Sequence, residues 1–280
     1  MCKSDITIKK FIKLIIQVEF YRLIAFTIFT TSGYTNFTIQ TLLKACIPIT
    51  TLKHNFTACF LTFYLFIPFL NILVQNMTEK QHRHLLALVG FFYIILGSIP
   101  KFNINFNYVT WFCIIYFIGS YLRLYPIQLF ENKKARTALF IGSVLISAIS
   151  VLAFHYIGLK YDKHLWHFWL ADSNKILAVV TSISAFVFFK YLKIPYNKFI
   201  NTVASTTFGV LLIHANSDTM RQWLWKDFLN NVGNFNNGNI YFHAILSIIG
   251  IFIVCSIIDF LRQKLFKTFK IWRNIILHIY

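Results

Sequence analysis

Apolar residues along this chain occur in long runs that are separated by short polar segments. A helix that crosses the hydrocarbon core of a bilayer needs about 17 to 25 such residues. The runs predict transmembrane helices at residues 10–30, 56–75, 85–100, 107–122, 137–157, 174–192, 201–217 and 240–262. Residues 36–50 are shorter and only partly apolar, which is typical of a segment that lies at the membrane interface or re-enters the bilayer. We therefore expect an all-α fold: a polytopic membrane helical bundle with about eight transmembrane helices.

The composition agrees with a membrane protein. Of the 280 residues, 57% are hydrophobic and 19% aromatic, whereas only 13% are charged. A soluble domain usually carries about 25% charged residues. The five cysteines are scattered, without a CxxC pair or a His/Cys metal spacing, so we predict no metal site. Without a linker or a low-complexity tract, we expect residues 1–280 to form a single membrane-embedded domain.

The basic residues indicate how the helices are oriented. With the N terminus in the cytoplasm, 18 of the 27 Lys and Arg residues fall on the inner side of the eight predicted helices. Because Lys and Arg accumulate in cytoplasmic loops, this predicts a multi-pass protein of the plasma membrane with both termini cytoplasmic. The net charge of +18 then reflects topology, and we predict no binding of nucleic acid. Residues 263–280 alternate basic and apolar side chains, as a basic amphipathic cytoplasmic tail on the inner leaflet would.

One pair of charged residues falls inside the first predicted helix. Glu19 and Arg22 are three residues apart and can therefore share one helix face. Charged side chains within a membrane are costly and face a cavity or a partner. Two interpretations stay open: the pair contributes to a substrate site, or the two charges neutralise each other and have a structural role.

Two predicted outer segments, residues 161–172 and 214–225, combine Trp with His, Asp, Asn and Arg. An aromatic belt at the membrane interface explains the Trp residues but not the polar ones beside them. Aromatic faces with amides and carboxylates favour a carbohydrate ligand. The candidate binding residues are Asn216, Ser217, Arg221 and Trp225.

Histidine supplies the candidate catalytic group. His214, which follows the apolar run of the seventh predicted helix, is either a general base or a structural residue at a helix end. His164 and His167 are three residues apart but have no third ligand nearby in the sequence.

Three stretches resemble one known family. Residues 201–225 (NTVASTTFGVLLIHANSDTMRQWLW) resemble the signature near the C-terminal end of the acyltransferase-3 family. Residues 60–71 (FLTFYLFIPFLN) are similar to that family's Y-L-x-L-Y-x-x-x-P-x-x-N helix, and residues 116–125 (YFIGSYLRLY) to its yFxxGyylrky segment. The three motifs occur in the family's order and together extend over most of the chain.

The resemblance implies a polytopic O-acyltransferase. Members transfer an acyl group, commonly acetyl, from cytoplasmic acyl-CoA (acetyl-CoA) to a hydroxyl of a cell-surface polysaccharide or a lipid-linked sugar of the cell envelope. The family's first helices carry an Arg and a His that is taken to be the catalytic base. The region after Met1 resembles the third span, so the resemblance implies a chain without that first pair of helices. An inactive remnant of the family and a sugar-lipid transporter or flippase are the alternatives.

Overall fold

The computed structural model describes residues 8–47, 56–99, 102, 104, 107–161 and 168–268. Within these ranges the regular secondary structure is entirely helical, as expected. Its twelve α-helices are α1 (Ile8–Thr31), α2 (Ile39–Cys46), α3 (Phe56–Asn76), α4 (Glu79–Val89), α5 (Tyr108–Leu124), α6 (Gln128–Glu131), α7 (Lys133–Tyr161), α8 (Ile176–Lys190), α9 (Lys198–His214), α10 (Asp218–Gln222), α11 (Asn231–Asn236) and α12 (Ile240–Thr268). Two π-helical segments extend α4 and α10, at Gly90–Ile95 and Trp223–Phe228, and a short 3₁₀ turn at Leu96–Ser98 follows the first.

A helix occurs at each of the eight predicted positions, and the short segment at 36–50 contains α2. Among the described residues, three helices are long and apolar enough to cross a membrane: Phe56–Asn76, Lys133–Tyr161 and Tyr241–Thr268. Two shorter helices, Tyr108–Leu124 and Ile176–Lys190, are also apolar. These helices indicate a multi-pass membrane protein.

Most helix ends differ by a few residues from the predicted bounds, and two of these differences concern the candidate site and the predicted tail. The seventh predicted helix ends at His214 and not at residue 217, because the Ser217 hydroxyl accepts a hydrogen bond from the Met220 N–H (3.1 Å) and begins α10. The last helix continues past residue 262 to Thr268, so the first residues of the predicted tail belong to α12. Residues 269–280 lie outside the described residues.

The chain divides into two compact units. We call Phe63–Ile194 the middle unit, and Ile6–Thr62 together with Pro195–Tyr280 the terminal unit. The expectation of one membrane-embedded domain stays a prediction.

Polar contacts join the helices of the middle unit. The Ser143 and Ser184 hydroxyls are 2.7 Å apart between α7 and α8, and those of Ser147 and Thr181 are 3.0 Å apart one turn away. Such interhelical hydrogen bonds between small side chains are common where helices pack in membranes. The Ser98 hydroxyl accepts the Ile176 N–H (2.8 Å) and so satisfies a free donor at the start of α8.

The terminal unit is built around α9, which packs against both α12 and α1. Its apolar core consists of Val18, Tyr21, Leu61 and Leu212, which are all at most 5% exposed. Because Leu212 lies two residues before His214, this core fixes the end of α9 that carries the candidate catalytic residue.

Candidate functional site

The predicted site residues all belong to the terminal unit. His214 is the last residue of α9, and its Nδ1 lies 2.7 Å from the carbonyl oxygen of Val210. A carbonyl oxygen can only accept, so Nδ1 carries the proton and donates it. In the neutral imidazole Nε2 is then an acceptor, and it makes no hydrogen bond to any residue that the structure describes. His214 is half-buried, so the geometry is compatible with a general base.

The residues after His214 form a tight turn into α10. The Asn216 side-chain amide donates to the Leu212 carbonyl (3.0 Å), which satisfies one of the free carbonyls at the end of α9. The Ser217 hydroxyl is the N-cap of α10. Both side chains thus have structural partners, while the side-chain amide oxygen of Asn216 (Oδ1) remains as an acceptor for a ligand.

Arg221 lies on the exposed side of α10. Its guanidinium forms an ion pair with Asp218, and the two side chains are 46% and 90% exposed. An exposed pair of this kind contributes little to stability. Guanidinium has five N–H donors, so Arg221 keeps donors for an anionic group.

The two tryptophans of this segment differ in their surroundings. The Trp223 ring stacks on Phe228 (5.3 Å between centroids) and meets Phe29 edge-on (5.9 Å). Trp225 is half-buried and makes no ring contact within the described part of the chain. Trp223 is therefore part of the packing, whereas Trp225 has a face that could contact a sugar.

Asp227, two residues after Trp225, accepts a hydrogen bond from a phenol. The Tyr34 hydroxyl, between α1 and α2, donates to the Asp227 carboxylate. This bond raises the pKa of Tyr34, because the neutral phenol is the form that can donate. The contact ties the end of α1 to the segment that contains Trp225.

Glu19 and Arg22 are not paired with each other. The Arg22 guanidinium donates to the Lys44 carbonyl, one of the last carbonyls of α2, and no ion pair with Glu19 forms within 4 Å. Arg22 therefore caps α2 and holds it against α1. Both Glu19 carboxylate oxygens are buried without a hydrogen-bond partner among the described residues. The structure shows no hydrogen bond from either residue to His214.

The first of the two predicted outer segments belongs to the middle unit, and its residues 162–167, with His164 and His167, lie outside the described residues. In its described part, the Trp169 indole donates to the Ser98 carbonyl (3.2 Å) and packs edge-on against Phe154 (4.7 Å between centroids). Trp169 therefore packs within its own unit.

Sequence reasoning missed a buried polar network between α1 and α12. Asp259 is fully buried, and its Oδ1 accepts the Tyr21 hydroxyl (2.7 Å) and the Arg262 Nε–H (2.8 Å). Its Oδ2 accepts the Gln263 amide (2.7 Å). The available signal was an acidic residue inside an apolar helix, with an arginine three positions later.

A glycine of α9 packs directly against this network. A Cβ atom at Gly209 would overlap the Asp259 carboxyl group, so only glycine allows the two helices to approach this closely. Gln263 also donates to the Ser205 carbonyl (3.1 Å), one turn before Gly209. The network therefore fixes the packing of α9, the helix that ends in His214, against α12.

The comparisons with known proteins identify the family. Neither a curated protein nor a solved structure matches the chain significantly. A family described as an acyltransferase domain matches residues 4–259, which is most of the chain. The resemblance of the three sequence motifs is therefore confirmed, and the chain belongs to the acyltransferase-3 family.

Proposed function

We propose that this protein is a membrane O-acyltransferase. It transfers an acyl group, acetyl in the simplest case, from acyl-CoA to a hydroxyl of a cell-surface polysaccharide or a lipid-linked sugar. The observation that carries the proposal is the family match over residues 4–259. The environment of His214 supports it, since a histidine with an accepting Nε2 is suited to this chemistry.

In the proposed reaction, His214 acts as the general base. Its Nε2 takes the proton from a sugar hydroxyl that enters from the outer side, and the hydroxyl oxygen attacks the carbonyl carbon of the thioester, which acyl-CoA presents from the cytoplasmic side. The C–S bond breaks, the thiolate leaves and takes up a proton, and an ester remains on the sugar. The hydrogen bond from Nδ1 to the Val210 carbonyl stabilises the imidazolium that forms transiently.

We further propose that the residues after His214 bind the acceptor. Trp225 offers an aromatic face to the apolar face of a sugar, and Arg221 offers free N–H donors to an anionic group. Asn216 contributes its carbonyl oxygen, and Ser217 orients α10. Arg22 and Glu19 are proposed to act from α1, Arg22 by holding α2 and Glu19 as a buried acceptor.

For the topology we propose eight transmembrane helices in the plasma membrane, with both termini in the cytoplasm. The support is the distribution of Lys and Arg, which places 18 of 27 on one side. A cysteine at Lys134, near the start of α7, should react with an impermeant maleimide only after cells are opened. Labelling on intact cells would contradict this topology.

The function is tested with the full chain in membranes that lack related enzymes, by transfer of radiolabelled acetyl from acetyl-CoA to polysaccharide. His214→Ala should lower the rate by about 10² to 10⁴, the usual effect of losing a general base. His84→Ala is the matched control, because His84 is exposed and forms no hydrogen bond, ion pair or ring contact among the described residues. Equal rates for both variants would refute the role of His214. A well-expressed wild-type chain without any transfer would refute the enzymatic proposal and favour the inactive remnant.

A further inference from the structure

The middle unit contains an apolar cleft between α5 and α8. Its volume is about 300 Å³, and two serines, Ser173 and Ser182, are the polar residues that line it. Along α5 the lining runs from Trp111 to Leu122, a distance of about 16 Å at 1.5 Å per residue. The hydrocarbon core of a bilayer is about 30 Å thick and two acyl chains deep, so a cleft of this length can hold one acyl chain.

The cleft is closed on one side by buried residues and has unoccupied space beside a glycine of α5. Trp111 and Val179 are 3% and 7% exposed and belong to the apolar core of this unit, so they close its inner side. Gly119 lies on the lining with no atom within 4 Å of the position that a Cβ would take. A glycine here leaves room in the cleft that any larger side chain would occupy.

The two ends of the cleft differ in charge. At the Leu122 end, Lys190 Nζ lies 2.9 Å from the Leu122 carbonyl, and the next residue is Arg123. Arg123 is exposed and forms no hydrogen bond or ion pair within the described ranges. At the other end, next to Ser173, Asp172 and Lys175 offset each other in charge. A ligand with one anionic group would therefore place it at the Leu122 end.

We propose that this cleft binds one acyl chain of an anionic phospholipid, with the lipid phosphate at Arg123 and Lys190. The length of the cleft fits one acyl chain, and the two cations at the Leu122 end fit the charge of the headgroup. A basic residue at a membrane surface favours anionic lipid over neutral lipid. This lipid binding does not depend on acyl transfer. It gives the middle unit a role separate from that of the candidate site in the terminal unit.

Native mass spectrometry of the purified full chain in detergent tests this proposal. The protein is titrated with phosphatidylglycerol and with phosphatidylcholine that carry the same acyl chains. Wild type should bind phosphatidylglycerol more tightly. Arg123→Gln should weaken the binding of phosphatidylglycerol about fivefold, which is the contribution of one basic residue, and should leave the binding of phosphatidylcholine unchanged.

A matched pair of glycine variants tests the position of the chain. Gly119→Leu should fill the cleft and weaken the binding of both lipids at least about tenfold. Gly142→Leu, on α7, should bind both lipids as wild type does. Gly142 also has no atom within 4 Å of a Cβ position, but it does not line the cleft. Equal binding by the two glycine variants would overturn the site. Equal affinity of wild type for both lipids would overturn the anionic headgroup, and this result does not depend on any variant folding.

Discussion

Replacing Arg262 with methionine should strongly destabilise the terminal unit. The change keeps most of the side-chain length but removes the guanidinium that pairs with Asp259. The Asp259 side chain is 0% exposed and that of Arg262 is 8% exposed, so water cannot take the place of the lost partner. A buried ion pair that loses one partner leaves an uncompensated charge, which costs about 3–5 kcal/mol.

The chain contains a matched control for this variant. Asp218 and Arg221 form a second aspartate–arginine pair with the same three-residue spacing, but their side chains are 90% and 46% exposed. Exposed pairs contribute about 0–1 kcal/mol, so Arg221→Met should have little effect. The comparison separates burial from spacing, because the chemistry of the two pairs is the same.

Thermal unfolding in detergent, followed by circular dichroism, gives the readout. With about 2 °C per kcal/mol for a chain of this size, Arg262→Met should lower the Tm by about 6 °C or more, and Arg221→Met by about 2 °C at most. The double variant Asp259→Asn with Arg262→Met should recover part of the loss, since the unpaired carboxylate is then gone. Similar Tm values for the two single variants would show that burial of the Asp259 pair does not control stability.

Three further predictions concern other contacts. Gly209→Ala should destabilise the protein by about 1–3 kcal/mol through overpacking against the buried carboxylate, whereas Gly250→Ala, where a Cβ meets open space, should not; equal Tm values would contradict this. The hydrogen bond to Asp227 raises the pKa of Tyr34 above its unfolded value of about 10, so the bond stabilises the fold below that pH and is lost as the pH rises through the folded pKa. Asp227→Asn replaces the accepting carboxylate and should therefore lower the pKa of Tyr34 in an alkaline absorbance titration; an unchanged pKa would refute the contact. Ser143→Ala should cost about 0.6 kcal/mol, the average for such bonds in membranes, measured by a double-mutant cycle with its serine partner on α8, 2.7 Å away; zero coupling would contradict it.

The sequence predicted the helices well because their signal is local. Each apolar run is long enough to specify a helix without reference to the rest of the chain, and all eight runs contain one. The family was also predictable, since its motifs are continuous stretches such as residues 201–225. By contrast, the end of α9 at His214 depended on the hydroxyl of Ser217, a capping residue that the apolar pattern does not register.

The polar partners could not be predicted, because they come from distant parts of the chain. Spacing alone suggested that Arg22 pairs with Glu19, yet its guanidinium contacts a backbone carbonyl at Lys44, where α2 ends. Tyr21 reads as an ordinary aromatic residue of a membrane helix, although it donates to a carboxylate 238 positions away. Only the packing of α1 against α2 and against the C-terminal helices reveals these partners.

The π-helical segment at Gly90–Ile95 has a consequence for insertions and deletions in this chain. Bonding from residue i to i+5 accommodates one more residue in a turn than an α-helix does. Before the segment, His82 Nε2 contacts the Phe117 carbonyl (3.0 Å); after it, the Ser98 hydroxyl accepts the Ile176 N–H. The wide turn accommodates one extra residue between these two contacts. A deletion of one residue inside Gly90–Ile95 could therefore be absorbed by conversion to a regular α-helix, whereas the same deletion within α4 would rotate His82 away from its partner.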